Sequence, residues 1–373
     1  EIYTLSLHDA LPICVSSLPY EKGVAKEPEG TIKCKFWGLG SDGTVGANKS
    51  AIKIIGDKTD MFAQGYFSYD SKKSGGITVS HLRFGHNPIK STYLINKPDF
   101  VACHNEAYVN QYDLLTGLKK NGTFLLNCTW SEDEVDKHLP AGIKRFIYEN
   151  DIQFYTINAT DLAEKIGLGN RINMIMQAAF FKLANVIELD KAIEYLKESI
   201  AQTYRKKGQA VVDMNCKAVD SGIGELNKVN VPESWKDAVD EGGEVKVLPE
   251  FVEKVAVPML KQEGDSLPIS AFDGREDGSF PLGTAAYEKR GVAVNLPKWI
   301  PENCIQCNQC SFVCPHASIR PVLLNEEEMK AAPAGFVAIK ATGKDLAGYQ
   351  YRMQLSDRKS TRLNSSHALA SRM

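Results

Sequence analysis

Four cysteines near the end of the chain have a spacing suited to metal chemistry. Cys304, Cys307, Cys310 and Cys314 form C-x2-C-x2-C-x3-C, and Pro315 follows directly. Two-residue gaps let three thiolates of one loop reach three corners of a cubane, as in the ligand run of bacterial [4Fe–4S] clusters. Zinc sites usually take two separated ligand pairs instead. The spacing therefore predicts a [4Fe–4S] site rather than zinc or four merely buried thiols.

The same run predicts how its ligands divide between clusters. In two-cluster modules the fourth cysteine binds the other cluster, which assigns Cys304, Cys307 and Cys310 to one cluster and Cys314 to a second. No cysteine follows Cys314 in the sequence. We therefore expect half of a two-cluster module, which should bind iron poorly by itself.

A glycine-rich turn near the start of the chain has the chemistry to bind an anion. Gly38, Gly40 and Gly43 satisfy G-x-G-x-x-G between a predicted strand and a predicted helix. Such a turn presents bare backbone N–H groups and a helix N-terminus, which favours a phosphate or pyrophosphate cradle over a purely structural turn. A nicotinamide dinucleotide site stays open, and it needs an acidic residue about 20 positions later. Three residues meet that requirement ambiguously: Asp57, Asp60 and Asp70.

Three further polar residues have weaker patterns. Lys72 lies in Ser71-Lys-Lys-Ser-Gly-Gly76 after the second predicted strand. Its ammonium could meet phosphate as a point charge, although a surface lysine pair is more often only solvated. Asn173 lies near the start of a long predicted helix and by composition is a capping or surface residue. Lys217 has no pattern of its own.

Alternating strand-like and helical runs must position these groups. Short runs of β-branched and aromatic residues predict strands at Thr31–Leu39, Met61–Tyr69, Ile77–Phe84, Phe100–His104, Thr123–Asn127 and Ile152–Ile157, and an alternating run predicts another at 291–297. Helical patterns lie at Gly46–Ile55, Glu106–Lys119, Glu132–His138, Thr160–Ile166, Arg171–Val186, Asp190–Tyr204 and Gly208–Val219. Interleaved strands and helices predict an α/β, Rossmann-like layered domain with a mixed sheet. The strand order is not readable.

Composition narrows the class of protein. The 373 residues carry 44 basic and 46 acidic side chains, a net charge of −2, which argues against a nucleic-acid binder or a membrane-surface protein. No apolar run reaches the roughly 18 residues of a membrane span. Four further cysteines should be buried small apolar residues: Cys34, Cys103, Cys128 and Cys216. Free thiols beside an iron–sulfur cluster indicate a reducing, cytoplasmic location.

Long consecutive strings resemble the pyruvate:ferredoxin (flavodoxin) oxidoreductase family. They are Lys35–Lys49 (KFWGLGSDGTVGANK), Tyr69–Gly76 (YDSKKSGG), Asn170–Gln177 (NRINMIMQ), Tyr287–Arg290 (YEKR) and the cysteine run. The resemblance implies a coenzyme A-binding γ-like domain at 27–229, a linker and Glu-Lys-Arg (EKR) domain at 230–300, and a truncated ferredoxin-like α+β iron–sulfur domain at 301–356. Segments 1–26 and 357–373 resemble translated sequencing adaptor, and we expect neither to belong to the fold.

The resemblance also implies a function and its residues. Coenzyme A would contact Gly40, Ser41, Asp42, Gly43 and Thr44, together with Lys72, Asn173 and, less certainly within the family pattern, Lys217. Pyruvate would be converted to acetyl-coenzyme A and carbon dioxide, with electrons leaving through [4Fe–4S] clusters to ferredoxin or flavodoxin, and the full-length enzyme would be a homodimer. Thiamine diphosphate and Mg²⁺ would belong to a domain that this sequence lacks. We therefore expect no turnover from this chain alone, and we assign no catalytic residue.

Three other interpretations stay open. A nicotinamide-linked reductase with a fused ferredoxin domain would use Gly38, Gly40 and Gly43 for NAD(P). An oxidoreductase of the same kind acting on a different 2-oxo acid would share every feature above, because the 2-oxo acid pocket lies elsewhere. A non-catalytic electron carrier would leave the glycine turn and the lysine segment without a role.

Overall fold

The computed structural model describes residues 27–40, 42–70, 76–169, 171–240, 247–287, 298–314 and 317–355. The described residues form two compact units, one reaching to Pro281 and the other beginning at Leu282. The predicted strand at 291–297 lies outside the described residues.

The first unit is built on one seven-stranded mixed sheet. Its strands are β1 (Ile32–Leu39), β2 (Phe62–Tyr69), β3 (Ile77–Gly85), β4 (Phe100–Cys103), β5 (Thr123–Asn127), β6 (Gln153–Ile157) and β7 (Asn227–Lys228). They lie in the order β2-β3-β1-β4-β5-β6-β7. The four central strands β1, β4, β5 and β6 are parallel to one another, whereas β3 and β7 run antiparallel to their neighbours.

Helices follow β1, β5 and β6 directly, and a short one lies further along the chain after β7. They are α1 (Thr44–Lys58), α2 (Glu132–His138), α3 (Ala141–Glu149), α4 (Ala159–Ile166), α5 (Asn173–Ala184), α6 (Leu189–Tyr204), α7 (Gln209–Gly224) and the short α8 (Val257–Leu260), which continues a π-helical turn at Val252–Ala256. Helix α2 begins with a capping box, in which the Ser131 N–H donates to Glu134 Oε2 at 2.9 Å.

The main core lies between one face of the sheet and helices α1 and α4 to α7. Side chains alternate along β1, so that Cys34 and Phe36 are buried in this core. Phe36 packs against Phe100 of β4 at 5.7 Å and against Phe180 of α5 at 5.1 Å between ring centroids. These contacts fix α5 over the junction of β1 and β4.

The chain reverses its winding between β1 and β4. From β1 it passes through α1 to β2 on one side of the sheet, and from β4 it continues to β5 and β6 on the other side. In open α/β sheets, ligands bind at the carboxyl ends of the strands that flank such a switch point. The residues that follow β1 and β4 therefore occupy the position where a ligand site is expected.

The predicted strands of this unit are confirmed to within about one residue at each end, but the predicted helix at Glu106–Lys119 is wrong. Only a 3₁₀ turn forms there, at Glu106–Asn110. Asp113 Oδ1 accepts a hydrogen bond from the Thr116 N–H at 3.1 Å, and Gly117 has a φ of +85°. The segment buries its leucines while returning across the sheet edge, and that burial outweighs its helical pattern.

Two details around this sheet were not foreseen. The sequence pattern missed helix α3, and residues after β7 pack on α2 and α3. Trp235 Nε1 donates to Asp136 Oδ1 at 2.7 Å, and the Ala141 N–H donates to Asp240 Oδ1 at 2.7 Å.

The second unit is smaller and has an antiparallel sheet in the order β8-β10-β9. Its elements are α9 (Gln309–Phe312), β8 (Ile319–Leu324), α10 (Glu326–Lys330), β9 (Ile339–Lys340) and β10 (Gln350–Leu355). Tyr351 and Met353 of β10 are buried in its core, against which Cys304 and Cys310 pack. This arrangement is α+β, as predicted.

Candidate functional site

The turn after β1 is held by the carboxylate of Asp42. Its Oδ2 accepts hydrogen bonds from the Leu39 N–H and from Thr44 Oγ1, both at 2.8 Å. Its Oδ1 accepts a hydrogen bond from the Thr44 N–H at 2.7 Å. One side chain thus joins the end of β1 to the start of α1, so the turn has its shape without a ligand.

Two glycines of this turn are required by close contacts. A Cβ on Gly38 would lie 2.7 Å from Thr44 Oγ1, because α1 begins directly against β1. Gly43 has a φ of +92°, which side-chain-bearing residues rarely adopt, and a Cβ there would lie 3.3 Å from Asn173 Cγ. Gly40 donates its N–H to the Gly76 carbonyl at 2.8 Å. Packing within the protein therefore already requires glycines in this motif, whether or not the motif also contacts a ligand.

A histidine from the neighbouring strand contacts the same turn. His104 follows β4, and its Nδ1 lies 2.7 Å from Thr44 Oγ1 in a buried hydrogen bond. Burial lowers the pKa of His104 below its usual value, with a smaller opposing effect from Asp42. The imidazole is therefore neutral at physiological pH. The sequence analysis missed this residue, although the predicted strand Phe100–His104 ends at it.

The outer side of the turn presents unused hydrogen-bond donors. Among the described residues, the N–H groups of Gly43, Val45 and Gly46 have no acceptor, and Gly43 and Gly46 are exposed. Asn173 is the first residue of α5, not its cap, and is half-buried beside Gly43. Its amide also makes no hydrogen bond within the described part of the chain. These groups place several unused donors together at a helix N-terminus, where an anion is favoured.

The structure brings together most of the predicted coenzyme A residues. Gly40, Asp42, Gly43, Thr44 and Asn173 surround one turn at the switch point. Ser41 and Lys72 lie outside the described residues. Lys217 is exposed on α7, and within the described ranges it makes no hydrogen bond or ion pair with the turn.

The fold does not place any of the three acidic candidates where the nicotinamide interpretation requires one. Strand β3 lies between β1 and β2, so Asp70, which follows β2, is two strands away from the glycine turn. Asp57 and Asp60 lie in the last turn of α1 and just after it, at the opposite end of the sheet from the glycines. None of the three candidates takes the position beside the turn that ribose recognition requires.

Two buried thiols near this edge of the sheet are chemically inert. Cys103 ends β4 and Cys128 follows β5. Burial raises the pKa of each to about 12. Since the thiolate is the nucleophile, neither is suited to acyl transfer. Cys34 is also buried, as predicted, and Cys216 is half-buried.

The cysteine loop of the second unit is braced by polar residues between its thiols. Gln306 Nε2 donates to the Lys340 carbonyl at 2.8 Å, and the Thr342 N–H donates to Gln306 Oε1 at 2.9 Å. Tyr351 Oη donates to Asn308 Oδ1 at 2.7 Å. Gln306 and Asn308 both have left-handed backbone conformations, with φ values of +57° and +60°. These features curl the loop over β9 and β10.

Three of the four thiols converge, and the fourth differs. Burial, and then the neighbouring sulfurs of Cys304 and Cys307, raise the pKa of Cys310. Burial and the same three sulfurs raise the pKa of Tyr351 to about 12. Cys314 is instead buried in the core, where its Sγ accepts a hydrogen bond from the Ser318 N–H at 3.2 Å.

Three thiols on one curled loop suit an iron–sulfur cluster. A cubane takes one thiolate at each of separate iron corners, as Cys304, Cys307 and Cys310 could provide. Across the described ranges, no three His, Cys, Asp or Glu side chains are grouped around a single point as ligands of one metal ion. The separate environment of Cys314 agrees with its predicted assignment to another cluster.

The fold and these sites define an α/β domain with a glycine turn at its switch point, joined in one chain to a domain with a cysteine run of [4Fe–4S] spacing. Residues 33–225, just over half of the chain, match the family model described as pyruvate ferredoxin/flavodoxin oxidoreductase. The chain therefore belongs to that family. Residues 242–293 match a domain of unknown function called EKR, and residues 297–320 match a 4Fe-4S binding domain.

Individual relatives agree with this family. The pyruvate-flavodoxin oxidoreductase of Enterobacter agglomerans is 60% identical over 93% of this chain, and the pyruvate:ferredoxin oxidoreductase of Moorella thermoacetica is 56% identical over 91%. The chain spans only 30% and 29% of these two relatives.

The crystal structure of pyruvate oxidoreductase subunit PORC from Thermotoga maritima matches 53% of this chain and 97% of its own, with a TM-score of 0.43 and 18% identity. No helix in the described part of the chain is long and apolar enough to cross a bilayer.

Proposed function

We propose that this chain is the coenzyme A-binding and first electron-transfer portion of a pyruvate:ferredoxin/flavodoxin oxidoreductase. The reaction converts pyruvate and coenzyme A to acetyl-coenzyme A and carbon dioxide while reducing ferredoxin or flavodoxin. One observation carries the proposal: a single chain joins a family-matched sheet with an anion-binding turn at its switch point to a cysteine run of [4Fe–4S] spacing.

The glycine turn supplies the phosphate contacts in this proposal. Coenzyme A carries a pyrophosphate and a 3′-phosphate, and the free N–H groups of Gly43, Val45 and Gly46 suit such anions. The half-buried Asn173 amide lies beside Gly43 and adds a further donor. Gly40 and Ser41 extend the turn, and Lys72 would add charge from four residues before Gly76, which Gly40 contacts. Lys217 is the least supported member of the set, because the structure shows no contact from it to the turn.

The cysteine loop supplies the electron path. Cys304, Cys307 and Cys310 would hold one [4Fe–4S] cluster, which accepts single electrons, and Cys314 would serve a second cluster. The loop's own contribution is to hold Cys304 and Cys310 against the core that contains the buried Tyr351. No residue of this chain is assigned to pyruvate, thiamine diphosphate or Mg²⁺. A homodimeric assembly and a cytoplasmic location complete the proposal.

Calorimetric titration of coenzyme A into the whole chain tests the first half of this proposal. We expect coenzyme A to bind and dephospho-coenzyme A to bind more weakly, because the latter lacks the 3′-phosphate. Lys72→Ala should weaken coenzyme A binding, with Lys261→Ala as a matched removal of one positive charge elsewhere. Binding of NADPH in place of coenzyme A would instead support the nicotinamide-linked reductase.

A further inference from the structure

We propose that His104 is a positioning residue for the coenzyme A site, acting through Thr44 and Asp42 on the amides that face the ligand. This inference rests on the proposed function. It changes the role of Thr44 and Asp42, which were predicted to contact coenzyme A. Thr44 and Asp42 shape the turn from inside, whereas Gly43, Val45 and Gly46 touch the phosphate.

The direction of the hydrogen bonds follows from the groups involved. An ionised carboxylate only accepts hydrogen bonds, so the Thr44 hydroxyl must give its single proton to Asp42 Oδ2, 2.8 Å away. The Thr44 oxygen then has only lone pairs to offer His104 Nδ1 at 2.7 Å. His104 must therefore carry its proton on Nδ1 and donate it to Thr44. The result is a one-way chain from imidazole to hydroxyl to carboxylate.

These hydrogen bonds engage both hydrogen-bond donors of Thr44. Its N–H bonds to Asp42 Oδ1 and its hydroxyl to Asp42 Oδ2, while its side chain is only 1% exposed. A phosphate cannot reach a residue so enclosed, nor find a donor on it. The neighbouring Gly43 and Gly46 are exposed and have unused N–H groups among the described residues. The turn is thus divided into a buried structural side and an open binding side.

The backbone of His104 is firmly held in the sheet. Its backbone N–H donates to the Trp37 carbonyl of β1 at 2.9 Å, and its carbonyl accepts from Asn127 Nδ2 of β5 at 3.0 Å. Asn127 Oδ1 in turn accepts the Ala159 N–H at the start of α4 at 2.9 Å. His104 therefore transmits the geometry of three parallel strands to the turn, and this rigid support is what a preorganised anion site needs.

Paired substitutions in the whole chain test this role, with calorimetric coenzyme A affinity as the readout. His104→Leu and Thr44→Val remove the donor and the hydroxyl, and each should weaken coenzyme A binding about tenfold, the effect of losing one good hydrogen bond. His104→Asn can place an amide N–H where Nδ1 lies, and Thr44→Ser keeps the hydroxyl. Both should bind coenzyme A within about twofold of the unmodified chain.

Two further measurements separate positioning from general damage. The double variant His104→Leu/Thr44→Val should bind about as well as either single variant, because both break one chain of hydrogen bonds. Nitrogen NMR of the unmodified chain should show His104 neutral and protonated at Nδ1, whether or not coenzyme A is present.

The outcomes distinguish this inference from the function on which it rests. A folded His104→Leu variant with unchanged coenzyme A affinity, additive losses in the double variant, or a His104 protonated at Nε2 would each overturn the positioning role. Failure of the unmodified chain to bind coenzyme A would overturn the proposed function, and with it the ligand-binding consequence of the hydrogen-bond chain.

Discussion

The glycine turn and the cysteine loop differ in how completely the protein fixes their shape. In the turn, Asp42 accepts from the inward-facing donors, His104 hydrogen-bonds to Thr44, and glycine is required at Gly38 and Gly43 by contacts already present. In the loop, Gln306 and Asn308 brace the backbone, whereas Cys307 is exposed. The protein's own contacts fix the glycine turn more completely than they fix the thiols.

This contrast matches the two kinds of ligand proposed. A co-substrate that binds and leaves in every cycle is best served by a preorganised site, because ordering the site at each binding event costs affinity. A resident cluster instead supplies free energy to the loop that holds it, since cluster ligands rarely form a finished site without their metal. Removing a ligand residue should therefore damage the two regions differently.

The largest expected effect separates Cys310 from Cys314. Because the proposal assigns Cys304, Cys307 and Cys310 to one cluster, Cys310→Ser should reduce the iron and acid-labile sulfide retained after anaerobic reconstitution to background. Cys314→Ser should leave the retained amount at the level of the unmodified chain, which we expect to be low. Equal losses in the two variants would show that Cys314 binds the same cluster.

Acid should weaken the first unit more than the second. Burial, and then the charges of Lys35 and Arg83, lower the pKa of His81 to about 3, against 6.5 in an unfolded chain. Between these values the unfolded chain binds more protons, so stability present above pH 6.5 is lost as the pH falls toward 3, at up to about 1.4 kcal/mol per pH unit.

Urea denaturation at a series of pH values measures this loss. Fluorescence of the first unit should report a free energy of unfolding that falls below pH 6.5, and His81→Gln should flatten that slope. Because His81 lies in the first unit, this component is expected in the transition of that unit. An unchanged slope in the variant would contradict the assignment to His81.

Gly43→Ala should damage the binding site beyond its effect on stability. A Cβ there would meet the Asn173 side chain, and the positive φ adds strain of about 1–2 kcal/mol. We expect coenzyme A affinity to fall by at least about tenfold. Gly208→Ala is the matched control, since Gly208 has a similar φ of +97° but nothing within 4 Å. If Gly208→Ala weakened coenzyme A binding as much as Gly43→Ala does, backbone strain alone, and not the contact with Asn173, would account for the loss of affinity.

The smallest expected effect concerns the brace of the cysteine loop. Tyr351→Phe removes the hydroxyl that donates to Asn308 Oδ1, and the second unit should lose about 1 kcal/mol of stability. Coenzyme A affinity should not change. Loss of coenzyme A affinity in this variant would mean that the two regions are not independent, contrary to the comparison drawn here.

The local sequence pattern was sufficient to predict the strands. The position of β3 in the sheet and the conformation of the segment after Glu106 depend on long-range packing instead. The strand at Thr123–Asn127 was predicted at both ends because its apolar run is short and flanked by turn residues. The antiparallel insertion of β3 beside β1 has no local pattern, yet it is what separates Asp70 from the glycine turn. The segment after Glu106 has helical spacing, but its buried contacts fold it otherwise.

The candidate sites divide in the same way. Cysteine spacing alone predicted the cluster ligands, because one loop supplies them. The glycine turn was visible as a motif, but the roles of its residues were not, since they depend on His104 from a strand about 60 residues later. Only the three-dimensional structure shows that Thr44 is enclosed and that Gly43 is open.

Hydrogen–deuterium exchange of the whole chain, with and without coenzyme A, measures most directly whether the outer amides of the glycine turn hold the ligand. The account predicts that coenzyme A slows exchange at Gly43, Val45 and Gly46 and near Asn173, with no change in the cysteine loop. Protection that leaves residues 43–46 unaffected while coenzyme A is bound would contradict it.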